Sequence, residues 1–163
     1  MEEKLNDSAM DDILQLVSFK IGGEEFGVDI LKVQEINRML AITKVPNAPT
    51  FVEGVVNLRG KIIPVVNLRK RLKLPVIDHN DKTRIIVVEL QDNTVGFIVD
   101  EVKEVLRIPK SITEPAPSMV AGIKTDYITA VGKLEDRLLI LLDLEKVLST
   151  EEMEELEELE TEK

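Results

Sequence analysis

At 163 residues the chain is about one domain long, and with 44% hydrophobic but only 3% aromatic residues its core is expected to be built from Val, Ile and Leu. The absence of cysteine excludes disulfides, thiolate nucleophiles and cysteine-bound metals, and no apolar run nears the roughly 20 residues of a membrane span. The formal net charge of −10 sits in the tails, since residues 1–12 hold five acids and one lysine, residues 150–163 hold eight acids and one lysine, and 13–149 are close to neutral.

The first segment, "MEEKLNDSAMDD", has no apolar stretch of the kind a secretion signal needs, and it reads as a disordered acidic tail over 1–12 of a cytoplasmic protein. Val17, Phe19 and Ile21 then alternate with Ser18 and Lys20, which predicts a half-buried strand. Gly22-Gly23 supplies a turn and "EEFGV" a returning strand. Asp29 is placed to cap a short helix over "ILKVQEINRM", with Ile30, Val33 and Ile36 near one face. Pro46 and Pro49 mark a loop. "EGVVNL" and "KIIPVV" read as a hairpin across Arg59-Gly60, with Gly60 at the left-handed position of a three- or four-residue turn. Pro64 has no N–H to give a ladder, so it is expected at a sheet edge or a bulge.

From there the chain repeats itself. "LVSFKIGGEEFGVDILKVQEI" (16–36) aligns with "IIVVELQDNTVGFIVDEVKEV" (85–105) at an offset of 69, which sets Gly27 on Gly96, Val33 on Val102 and Glu35 on Glu104. "PTFVEG" aligns with "PSMVAG" at an offset of 68, and "VVNLRGKIIPVVNLRKRL" with "VGKLEDRLLILLDLEKVL" at 76, after an insertion in the second copy. The first copy covers about 14–74 and the second about 83–149, with an exchange of strands between them. Many short strands parted by turn signals predict a mainly β fold of two small barrels side by side. The closing "STEEMEELEELETEK" reads as an acidic helix or tail over 150–163. Ser149 or Thr150 would cap it, and Met153, Leu156 and Leu159 would form a narrow apolar stripe.

The residues for catalysis are missing. His79, the single histidine, lies in "VIDHNDKT" between the copies and reads as linker rather than as a metal ligand beside Asp78 and Asp81. Every Ser-His-acid arrangement would have to run through it. Neither a "GxxxxGK[ST]" nor a "GxGxxG" motif is present, and the glycines of "IGGEEFG" join two strands instead of opening a helix. Arg69, Lys70, Arg71 and Lys73 make a basic run at 69–73 that reads either as the solvated face of a short helix or as a nucleic-acid surface. No stacking aromatic lies between Phe51 and Phe97 to support the second reading.

Three stretches, "FKIGGEEFGVDILKVQEI" (19–36), "PNAPTFVEGVVNLRGKIIPVVNLR" (46–69) and "DRLLILLDLEKVL" (136–148), resemble the CheW family of chemotaxis coupling proteins, and the likeness covers roughly Leu14 to Leu148. The resemblance implies two five-stranded SH3-like barrels packed together, no active site and no cofactor. It implies a cytoplasmic adaptor, monomeric when free, that is recruited to membrane-bound arrays without entering the membrane or binding nucleic acid. Its partners would be the tips of methyl-accepting chemotaxis receptors and the histidine kinase CheA, whose regulatory domain shares the fold. Carried over by position, the receptor-facing residues would be Val33, Glu35, Gly54, Arg59 and Val105, in a groove between the lobes. A kinase contact would fall at Met119, just beyond "EPAP", where many members of the family have an aromatic residue. The length leaves no room for a fused receiver or ATP-binding domain, so the resemblance is to the bare adaptor.

Overall fold

The computed structural model describes residues 12–116, 119–120, 123–124, 127–148 and 152, with 119–120 and 123–124 as backbone. The strands in chain order are β1 (Ile13–Ile21), β2 (Glu24–Asp29), β3 (Val33–Arg38), β4 (Val52–Leu58), β5 (Lys61–Asn67), β6 (Arg84–Leu90), β7 (Asn93–Val99), β8 (Glu101–Pro109), β9 (Thr113–Glu114), β10 (Met119–Val120), β11 (Ile123–Lys124), β12 (Ile128–Lys133) and β13 (Leu138–Leu142). Two short helices, α1 (Leu68–Arg71) and α2 (Leu144–Val147), follow β5 and β13 and are N-capped by the side chains of Asn67 and Asp143.

The strands form two main sheets. Lobe 1 has the order β3-β6-β7-β5-β4, and lobe 2 the order β8-β1-β2-β13-β12 with the two-residue β9 added at its edge. The offsets read from the sequence map one lobe on the other, strand for strand, as the expected pair of SH3-like barrels requires. Both lobes use a single parallel contact, Val65 with Gly96 in lobe 1 and Leu141 with Gly27 in lobe 2. Each hairpin at the start of a copy joins the sheet of the other copy, so β6 and β7 complete lobe 1 while β1 and β2 complete lobe 2.

That exchange decides where the core lies. Alternate residues of β6 (Ile86, Val88, Leu90), β7 (Val95, Phe97, Val99) and β1 (Val17, Phe19, Ile21) face the other lobe and join one large apolar cluster. The residues between them point into the barrels: Ile85, Val87 and Ile98 in lobe 1, and Leu16, Leu139 and Leu141 in lobe 2. A strand with a core on each side has no polar face, and all seven residues of β7 are buried. Phe19 and Phe26 stack with centroids 5.8 Å apart inside the inter-lobe cluster.

Three local expectations change. The segment after Asp29 is one 3-10 turn, Ile30–Lys32, that Asp29 caps through the Leu31 amide at 2.9 Å; it then becomes strand β3 rather than continuing as a helix. A bulge between Val33 and Glu35 explains the misleading pattern. It lets Val33 pair with Val88 and Ile36 with Ile86, the two partners being members of the inter-lobe cluster, so a three-residue spacing arises within a strand. The Arg59-Gly60 connection is a two-residue loop between Leu58 and Lys61, with φ of 54° and 88°, the type I′ turn that matches strand twist. Pro64 sits inside the sheet, between β4 and β7, instead of on an edge. Its partner Val55 gives its own N–H and C=O to Thr43 at 2.8 and 2.9 Å, and pairing with β7 begins only at Val65, so no strand needs the missing donor.

Candidate partner-binding site

The type I′ turn aims Arg59 across the rim of lobe 1. The β3–β6 register sets Glu35 opposite Val87, and from there its carboxylate meets the Arg59 guanidinium in a two-pronged contact: Nη1 donates to Oε1 at 3.2 Å and Nη2 donates to Oε2 at closer range. The hydrogen bond from Arg59 holds the Glu35 carboxyl below its usual range, against a smaller opposing effect of burial. The turn is braced from below by Asn57 Oδ1, which accepts the Gly60 amide at 2.8 Å. A left-handed φ costs a residue with a side chain about 1 kcal/mol, and such strain concentrates at binding sites. The Arg59 side chain remains 70% exposed, so most of its donors face outward from a fixed position.

The other sequence-derived candidates divide between roles and lobes. Val33 is half-buried and packs against the inter-lobe core. Gly54 has a φ of 148° at a bulge in β4, and a Cβ there would run into the Thr43 carbonyl and the Ile42 side chain. It keeps the 42–43 segment close to the strand that ends in the Arg59 turn. Val105 stands on the edge strand β8 of lobe 2 and is 56% exposed. Beside it, Glu104 meets Arg137 at 3.5 Å. Since Glu104 is the repeat counterpart of Glu35, and Arg137 flanks the β12–β13 turn as Arg59 occupies the β4–β5 turn, each lobe has a glutamate–arginine corner with an exposed aliphatic residue next to it, Ile36 in lobe 1 and Val105 in lobe 2. Sequence alignment showed Glu35 on Glu104; nothing in it signalled Arg137, which also bonds Glu25 and Asp136. Met119 belongs to β10, and its side chain lies outside the described residues.

Three of the four cations in the basic run 69–73, Arg69, Lys70 and Arg71, form neither a free helix face nor a row of phosphate ligands. Arg69 grips Asp100 twice, at 3.0 and 2.6 Å, and also donates to the Pro75 carbonyl. Lys70 pairs with Glu53 at 2.9 Å. Arg71 lies between the rings of Phe51 and Tyr127, 5.2 and 5.3 Å from their centroids, and donates to the Val147 carbonyl and to Glu152. Arg69, through Asp100, and Arg71 tie the two lobes together, a role the sequence reading missed because Asp100, Val147 and Glu152 lie 31 to 81 residues away, while Lys70 braces lobe 1 alone. His79 lines a small crevice with Asp78 and Asp100, and among the described residues no group of three or more His, Cys, Asp or Glu side chains is arranged to hold a metal. No helix among the described residues is long and apolar enough to cross a membrane.

Comparison with known proteins places this architecture. A family model for the CheW-like domain matches residues 15–152. The chain is 41% identical over 139 residues to the chemotaxis protein CheW of Klebsiella aerogenes, covering 85% of this chain and 84% of that one. It is 37% identical over 137 residues to the CheW of Bacillus subtilis, covering 84% and 88%. The crystal structure of the scaffolding protein TtCheW from Thermoanaerobacter tengcongensis matches with a TM-score of 0.79 at 36% identity, over 85% of this chain and 94% of that one. Two exchanged barrels with polar corners at their rims are the frame of a scaffold, and the chain belongs to the CheW family of chemotaxis scaffold proteins.

Proposed function

We propose that this chain is a non-catalytic adaptor that joins the cytoplasmic tips of chemoreceptors to the histidine kinase CheA by surface contacts alone. The observation that supports this best is the Arg59–Glu35 corner, where a strained turn holds a mostly exposed guanidinium against a glutamate on the rim of lobe 1. Receptor tips are helical hairpins, so their counterpart is an apolar surface with a few directed polar contacts. Arg59 supplies the directed contact, Val33 and the exposed aliphatic positions the apolar surface, and Gly54 the close backbone packing beneath. Val105 extends the receptor-facing surface to lobe 2. The kinase contact is assigned to the region of Met119, whose thioether adapts to an apolar pocket. The protein works in the cytoplasm and reaches the membrane through its partners. The nucleic-acid reading has no such support, because Arg69, Lys70 and Arg71, three of the four basic side chains it needs, are engaged within the chain.

Titration of a soluble receptor-tip hairpin tests the receptor half of the proposal. Arg59→Ala is expected to weaken binding by tenfold or more, which corresponds to about 1.4 kcal/mol, with a thermal midpoint close to that of the parent. An unchanged affinity, or a midpoint lowered in step with affinity, would show that Arg59 serves the fold and not the partner.

A further inference from the structure

The two glutamate–arginine corners are equivalent in position and opposite in charge. In lobe 2, Glu25 lies two residues before Gly27, Glu104 two before Leu106 and Arg137 two before Leu139, and those three later positions face the barrel core. Side chains two apart share a face, so the three ionic groups converge where that core ends. Arg137 Nε donates to Glu25 Oε1 at 2.6 Å and Nη1 to Asp136 Oδ1 at 2.9 Å, while Nη2 stands 3.5 Å from Glu104 Oε2. The repeat offsets set Arg59, Gly60 and Lys61 of lobe 1 on Glu135, Asp136 and Arg137, and set Glu35 and Thr94 against Glu104 and Glu25. In lobe 1, Arg59 holds Glu35, and Lys61 donates to Thr94 Oγ1 at 2.9 Å. At these five positions lobe 1 therefore has two cations and one carboxylate, net +1, whereas lobe 2 has one cation and four carboxylates, net −3.

Acidic side chains grouped on a surface are ordinarily no more than a solvated face, but Glu25 is of another kind. It is only 7% exposed, and its Oε2 is enclosed without a hydrogen-bond partner among the described residues. A buried carboxylate left half-satisfied is costly, and a donor brought to the corner offsets that cost. Arg137 cannot supply it, because its guanidinium is already divided among Glu25, Asp136 and Glu104. The outer carboxylates remain open, with 55% of the Glu104 side chain and 74% of the Asp136 side chain exposed. Their neighbours in sequence, Val105 and Leu138, are exposed aliphatic residues. Surplus negative charge beside apolar surface is complementary to a basic side chain set among aliphatic ones.

We propose that the lobe 2 corner receives a lysine or arginine of the receptor tip, bonded by Glu104 and Asp136 and drawn by the buried Glu25 carboxylate. The two lobes then read opposite charges on one partner, an acceptor at Arg59 and a cation at the lobe 2 corner. This rests on the receptor contact proposed above and supplies the chemistry of its second half. Glu104→Gln with Asp136→Asn keeps the shape of two exposed side chains and removes their charge. Parent and double variant are titrated with the soluble receptor-tip hairpin and with hairpins in which each Lys and Arg is changed singly to Gln. The double variant is expected to bind the unchanged hairpin about tenfold more weakly, and one hairpin substitution is expected to cost as much against the parent chain but nothing further against the double variant. Glu25→Gln is expected to weaken the unchanged hairpin and to leave the hairpin lacking that one cation unaffected, a pattern that a general loss of structure would not give. The inference is overturned if the double variant binds as tightly as the parent, or if every hairpin substitution costs the same on both chains. A hairpin that does not bind the parent chain at all would remove the receptor reading itself, and this inference with it.

Discussion

Asp100 ties one lobe to the other through a single carboxylate. Its carboxylate takes both the Arg69 guanidinium of lobe 1 and, at 2.8 Å, the Gly22 amide from the β1–β2 turn of lobe 2, while its own amide donates to the Lys20 carbonyl. Burial pushes the Asp100 carboxyl up, but the Arg69 hydrogen bond and the Gly22 amide together outweigh it and leave the group below its ordinary range. The folded state therefore binds this proton less readily than the unfolded chain does. The resulting stability is fully present above the unfolded value near pH 4 and fades as pH falls through the lower folded value. Asp100→Ala is expected to cost about 2 kcal/mol near neutral pH, measured by urea unfolding. The gap between parent and variant should narrow steadily below about pH 4. A gap that does not change with pH would mean that the loss is one of packing and not of charge. Arg59 differs in kind, since its ion pair spans an exposed corner, where such pairs add little to stability.

The two parallel contacts test the repeat at the level of strands. Gly27 and Gly96 occupy matching places, yet a Cβ on Gly96 would approach Ile85 Cγ2 to 2.8 Å, whereas on Gly27 it would meet only leucine methyls at 3.4 Å. Gly96→Ala is expected to destabilise by about 1–3 kcal/mol through overpacking, and Gly27→Ala to stay within about 1 kcal/mol of the parent. Equal losses in denaturant midpoint would contradict the geometry. These elements also show what could be read in advance. Alternation in β1 and the glycine match between copies gave the strands and the duplication, because both are written in local spacing. The bulge in β3 was not legible, since it imitates a helical spacing and is fixed only by pairing with β6, about fifty residues on. The run 69–73 misled for the same reason: basic residues look solvated until partners distant in sequence are placed beside them. Of the binding candidates, Arg59 and Glu35 could be named from a family resemblance, but their contact could not, because it depends on a turn type that an arginine in the first central position does not announce.

For the molecule as a whole, the exchange of hairpins moves the main core out of the barrels and into the space between them. Among the described residues, twenty-two buried apolar side chains form the inter-lobe cluster, against six inside lobe 1 and four inside lobe 2. Neither barrel holds enough apolar surface to stand alone, so heat or denaturant is expected to unfold both in one transition, with near-equal calorimetric and van't Hoff enthalpies. Two separated transitions would mean that the lobes are independent units. A body of that kind suits a scaffold, because contacts made on one lobe stay in fixed register with contacts made on the other. The most direct test of the adaptor itself is co-sedimentation of the CheA regulatory domain with vesicles that bear receptor cytoplasmic tips. The kinase domain should pellet with the vesicles when this chain is added and stay in solution when it is left out; retention that is the same in both cases would contradict the account.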